Sequence, residues 1–210
     1  MTPDKQQVPS SSFQKFLKEA EATGREKADG FDHQVLKSLF GSEQQLALEM
    51  LFELAKRGDT TAIDAFRSFP ADRAVPLLKE LLPIHNPPSL KHAHACFSLW
   101  SLTQCTDYCD ELTNDLALAD ALFRGVVVLL IAKSVPTPLT RQALWRVVET
   151  EEDSTARGMA ARGLLYFSGK LRSPVQQISR FDALLRSIYS DQAMERSNGI
   201  QELKKILASA

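Results

Sequence analysis

Apolar residues recur at intervals of three and four along most of the chain, the period of one face of an α-helix. Phe13, Phe16, Leu17 and Ala20 predict a helix over about 12–22, ended by Gly24. Val35, Leu36, Leu39 and Phe40 predict a second over 32–40, ended by Gly41. The clearest spans 42–57: Leu46, Ala47, Met50, Leu51 and Leu54 form a stripe, widened by Leu48, Phe52 and Ala55, between Ser42 as N-cap and Gly58 as C-terminal stop. Asp59 opens a short helix through Phe69. Asp72 opens another through Leu82, with Pro76 near its first turn. Asn86-Pro87, Thr137-Pro138 and Ser173-Pro174 each put a capping residue before a proline and announce helices at about 87–104, 138–150 and 174–189. A helical region over 110–133 is expected to break near Asn114. Asp153 or Ser154 caps a helix through Phe167, and 192–208 closes the chain with Ile200, Leu203 and Leu207 inward. No stretch alternates with period two long enough to predict a strand. The pattern predicts an all-α chain of about eleven helices with short connections, behind a polar, flexible tail over 1–11.

The segment Asp153 to Leu164 holds an acidic start, the pair Ala156-Arg157, the alanines Ala160 and Ala161, and then Leu164. It resembles the first helix of a HEAT repeat of the phycobilisome-lyase type. Asp72-Arg73-Ala74-Val75-Pro76-Leu77-Leu78, running on to Leu81 and Leu82, resembles the second helix of the same repeat. Ala47, Leu51 and Leu54 share their spacing with Ala95, Leu99 and Leu102 and with Ala160, Leu164 and Phe167. Leu51 to Leu99 is 48 residues and Leu99 to Leu164 is 65, irregular beside a period of about 40–47. The resemblance covers 42–105 and 153–189. It implies an irregular HEAT-like α-solenoid forming a single helical-repeat domain over 12–210. The alternative is an irregular helical bundle.

Composition narrows the function classes. The 25 Lys and Arg nearly balance the 26 Asp and Glu, so a net charge of -1 gives no overall attraction to nucleic acid or anionic lipid. The longest apolar run, Gly125 to Ala132 between Arg124 and Lys133, is too short for a membrane span and reads as the centre of a buried helix. The N-terminus lacks a secretory pattern, and three cysteines, an odd number, predict reduced thiols and a cytoplasmic location.

For candidate chemistry, His92, Cys96, Cys105 and Cys109 pair at helical i, i+4 spacing and resemble a tetrahedral zinc set, with His94 nearby. Against this, the two-residue knuckle spacing is missing, and Cys96 sits between Ala95 and Phe97, where cysteine acts as a small hydrophobe. The expectation is therefore no metal and no cofactor. His33 and His85 read as turn or surface residues. No Gly-x-Ser-x-Gly elbow, phosphate-binding loop or His-Glu pair is present, so no enzyme is predicted. Two acidic clusters remain: Asp107, Tyr108, Asp110 and Glu111, and Glu149, Glu151, Glu152 and Asp153. Both lie near predicted helix starts, where carboxylates favour the positive end of the helix dipole. Arg141, Arg146, Arg157 and Arg162 are near enough in sequence to pair with the acids. The same acids also offer a docking surface for a basic partner. Trp100 and Trp145 read as core residues.

The expectation is a protein-binding module acting as an adaptor or stoichiometric inhibitor. This class includes an immunity protein that neutralises a cognate bacterial toxin or effector with a basic surface. The second class considered is a HEAT-like DNA-binding protein or alkylpurine DNA glycosylase. Trp100 and Asp107 lack that family's spacing, and the charge balance opposes it.

Overall fold

A computed structural model describes residues 9–87, 89–175 and 179–209; the expected tail over 1–11 lies outside these except for its last three residues. Every regular element among the described residues is helical. The chain divides into two compact units, Met1–His85 and Asn86–Ala210.

The first unit holds α1 (Ser11–Glu21), α2 (Gly24–Ala28), α3 (His33–Ser38), α4 (Gly41–Lys56), α5 (Thr60–Ala65), a 3-10 turn at Phe66–Ser68 and α6 (Ala71–Leu81). Helix α1 starts inside the predicted tail because the Ser10 hydroxyl accepts from the Phe13 amide. Glu43 of α4 in turn accepts from the backbone and side chain of Ser10, both at 2.7 Å. The stripe of α4 is rotated from its expected centre: Ala47, Leu48, Leu51 and Ala55 are buried, whereas Leu46 faces solvent. Ser42 does not cap this helix, which follows Phe40 without a side-chain cap. Its C-terminus behaves as expected, with Gly58 at φ +94° donating to Ala55 O and Asp59 donating to Leu54 O. Asp59 caps α5 by accepting from Thr61 and Ala62, a device worth about 1 kcal/mol. Asp72 lies within the first turn of α6 rather than before it. Pro76 lies beyond that turn and offers no N–H to the Asp72 carbonyl four residues before it. Phe16 stacks between Phe13 and Phe31, each ring centroid 5.8 Å away, in a core with Leu36, Leu51, Ile63 and Leu78. His85, expected at the surface, is buried with Nε2 2.8 Å from Ala55 O.

The second unit holds α7 (Leu90–Thr103), α8 (Asp107–Leu118), α9 (Ala121–Lys133), α10 (Pro138–Thr150), α11 (Ser154–Phe167), a 3-10 turn at Ser179–Phe181, α12 (Asp182–Tyr189) and α13 (Ala193–Ala208). Thr137 caps α10 as the sequence predicts and also forms a reciprocal capping box with Thr140 across Pro138; of the two candidates Asp153 and Ser154, Asp153 caps α11. Two other starts differ. Ser89 rather than Asn86 caps α7, and Ser173-Pro174 forms a turn, with α12 beginning only at Asp182. The break expected near Asn114 falls at Ala119 and Asp120, where the Asp120 carboxylate accepts from the Phe123 amide. Helix α9 is buried along Val127, Val128, Leu130, Ile131 and Ala132, as its uninterrupted apolar run predicts. No helix among the described residues is long and apolar enough to cross a membrane.

Each helix of this unit packs on its successor, and α7 with α9, α8 with α10, and α9 with α11 also pack together. Three glycines set the closest approaches. A β-carbon at Gly163 would stand 2.7 Å from Ala132 Cβ on α9, one at Gly158 2.0 Å from the Tyr189 ring on α12, and one at Gly199 2.9 Å from Ser187 Cβ. Leu99 and Leu164 are buried, as Leu51 is in the first unit.

Arg157, with no solvent exposure, ties these helices together through their carbonyls. Its Nη1 donates to Glu151 O at 2.9 Å and to Glu152 O, its Nε to Ile188 O at 3.1 Å, and its Nη2 to Ser190 O at 3.1 Å. One side chain thus satisfies carbonyls at the C-terminal ends of both α10 and α12, where four per helix lack intrahelical donors. The negative ends of two helix dipoles also favour a guanidinium there.

A candidate docking groove and a buried polar cluster

Helices α8, α9 and α10 and the loop after α10 enclose a groove of about 730 Å³. Leu116 and Ala117 of α8 and Leu139, Ala143 and Val147 of α10 give it an apolar floor. Leu139 is 47% exposed, a large side chain left uncovered within that floor. Gln142, Arg146 and Thr150 add a polar wall along α10, and Glu151, Glu152 and Asp153 close one end opposite Arg124.

The predicted acidic residues divide into distinct roles. Glu151 accepts from Arg124 Nη1 at 2.8 Å, while Arg124 Nη2 also donates to Ala119 O at 2.6 Å. Partial burial works against the Glu151 charge, but Arg124 and the amides of Asp153 and Glu152 outweigh it and hold the carboxyl below its ordinary range. Asp153 is held by its capping bonds to Thr155 and Ala156. Glu152 is exposed, and its carboxylate enters no hydrogen bond or ion pair among the described residues. Glu149 points elsewhere and meets Lys204 of α13 at 2.7 Å.

The other cluster occupies the opposite end of α8. Asp107 and Asp110 stand in its first turn, and none of Asp107, Tyr108, Asp110 and Glu111 lines the groove. Partial burial pushes the Tyr108 phenol up. The acids at 151–153 stand together along the chain, whereas the apolar floor is assembled by the packing of α8 on α10. Of the arginines expected to pair with the acids, Arg157 binds carbonyls and reaches only the side chain of Asp191, at 3.4 Å. Arg141 donates to Phe167 O and lies over the Phe167 ring.

The cysteine and histidine set is redistributed. Cys105 is half-buried beyond α7, and Cys109 is buried beside Ser134 and Val135. His92 and Cys96 remain together on α7, and their partner is Asp115 of α8: His92 Nδ1 lies 2.8 Å from Asp115 Oδ2. Cys96 Sγ is 3.7 Å from Nδ1 and 3.9 Å from Nε2, so the sulfur sits against the ring. Asp115 is fully buried, and its Oδ1 has no hydrogen-bond partner. Burial, followed by the nearby carboxylates of Asp115 and Glu111, pushes the Cys96 thiol far up. Cys96 is fully buried, so the apparent Cys-His-Asp order does not present its sulfur to solvent. Asp115 carries no signal in the sequence, where it falls beside the expected helix break.

Trp100 and Trp145 are both half-buried. Trp100 packs 5.4 Å from Phe97, and Lys204 lies over the Trp145 ring at 5.8 Å. No protein-family model, curated protein or solved structure matches this chain.

Proposed function

We propose that the unit Asn86–Ala210 binds a segment of another protein in the groove between α8 and α10. The uncovered Leu139 near the start of α10 and the uncommitted Glu152 past its end, both lining the groove, carry this reading. The first offers apolar burial and the second a charge for a basic side chain. Each Å² of apolar surface covered contributes about 25 cal/mol before the costs of association. A module of this kind serves as an adaptor or as a stoichiometric inhibitor, an immunity protein against a toxin being one form. The alternation of packing partners, with α7, α9 and α11 on one side and α8 and α10 on the other, supports a HEAT-like layering. The groove then lies on the layer formed by α8 and α10. Carboxylates at its end oppose a phosphate backbone, so nucleic acid is not its occupant in this reading.

The test compares three proteins as baits in a native lysate: wild type, Leu139→Asp and Glu152→Lys. A protein retained by the wild type and lost from Leu139→Asp supports the groove. Its association with Glu152→Lys should be slower and less salt-dependent, because the reversed charge removes steering. Equal retention by all three, with folding intact by circular dichroism, would place any interaction elsewhere.

A further inference from the structure

The buried cluster of His92, Cys96 and Asp115 has a chemistry the docking groove does not use. Its three potential ligand atoms lie within 4.8 Å of one another. A tetrahedral ion with bonds of about 2.0–2.3 Å holds its ligand atoms roughly 3.3–3.8 Å apart. The set therefore closes around an ion by shifts of about 1 Å or less. His92 and Cys96 are four residues apart, so one helical face supplies two ligands without backbone change. Asp115 enters from α8, which packs directly on α7.

We propose that His92, Cys96 and Asp115 bind one zinc ion between α7 and α8. The donor set selects the metal: a thiolate with an imidazole favours zinc over calcium or magnesium, which take oxygen ligands. The charges also favour it. A buried carboxylate must be paired or coordinated, and here Asp115 has one oxygen on His92 and the other without a partner. A dication among one thiolate and one carboxylate is neutral overall and gives Asp115 Oδ1 a partner. Binding releases the Cys96 thiol proton to solvent. The neutral imidazole keeps its single proton on the nitrogen that does not face the metal, and no other bond is made or broken. Coordination to a cation stabilises the thiolate. Three protein ligands leave one position for a water or another donor. The buried site fills when the ion is present as the chain folds.

Cobalt(II) serves as the probe, because its bond to a thiolate produces a near-ultraviolet charge-transfer band. The full chain is unfolded under reducing conditions, refolded with cobalt(II), and freed of excess ion. The expected result is a band that saturates at one ion per chain, is displaced by one equivalent of zinc, is absent from Cys96→Ser and persists in Cys109→Ser. A wild-type chain without the band, or a band that survives Cys96→Ser, overturns the proposal. Should Cys96→Ser not refold, alkylation of the wild type in partial denaturant decides the matter. Zinc should slow modification of Cys96 at least tenfold more than that of Cys105 or Cys109. Equal rates for Cys96 with and without zinc overturn the site.

Discussion

Removing the Arg157 guanidinium should be among the most destabilising single changes in the second unit. Replacement by alanine strips donors from the carbonyls of Glu151, Glu152, Ile188 and Ser190. Ile188 is buried, so its carbonyl bears a desolvation cost of about 1–3 kcal/mol. The carbonyls nearer solvent regain water and cost about 0.5–1.5 kcal/mol each at most. The space left by a fully buried stem adds a cavity term, and the total expected for Arg157→Ala is about 3–5 kcal/mol. Arg157→Met keeps much of the stem and should lose about 1 kcal/mol less. Asp191→Ala should cost no more than about 0.5 kcal/mol, since its side chain is 88% exposed and sits 3.4 Å from the guanidinium. Urea unfolding followed by tryptophan fluorescence measures all three, because Trp100 and Trp145 both lie in this unit. A loss below about 1 kcal/mol for Arg157→Ala, or an equal loss for Asp191→Ala, would refute the view that carbonyl capping is what this arginine contributes.

Two further outcomes follow from local geometry. Gly158→Ala places a β-carbon inside the Tyr189 ring position and should cost about 1–3 kcal/mol. Tyr189→Ala should recover much of that loss in a double-mutant cycle, and simple additivity would show that the two residues are not in contact. The second concerns acid. Partial burial opposes the Asp59 charge, but Lys27, Thr61 and Ala62 outweigh it and hold the carboxyl below its ordinary value. A depressed folded-state pKa contributes stability that is fully present above the unfolded value near about 4 and is lost as pH falls through the folded value. Melting temperature should therefore drop through that acidic window. Asp59→Asn, which keeps the side-chain oxygen of the cap, should flatten the drop, and an unchanged slope would exclude Asp59 from it.

The legible and illegible parts of this molecule separate by sequence distance. The Asp59, Thr137 and Asp153 caps act over two or three residues, and each was readable where it stands. Asn86 before Pro87 reads locally as the cap, but Ser89, three residues on, caps α7. The α4 stripe was recognised but its centre was not, because eight apolar candidates encircle that helix and only its neighbours decide that Leu46 stays outside. At the groove, Glu151 and Arg124 are 27 residues apart, and His92 and Asp115 are 23 apart. Helix period says nothing about such pairs. They follow from which helix face meets which, so the acids at 151–153 and the His92–Cys96 pair could be singled out along the chain, while the groove floor and Asp115 could not.

The order in which the helices of the second unit pack has a kinetic consequence. Contacts run mainly to the next helix and the next but one, so loops are short and little chain entropy is spent before native contacts form. Such a unit folds quickly and need not open all at once. Helix α13, packed chiefly on α12, can fray without disturbing α9, whereas α11 meets α9, α10 and α12 and opens only when they do. Arg157 joins α11 to the end of α12 and stands at that boundary. Amide exchange should accordingly run as a gradient, fast in α13 and slowest in α9 and α11.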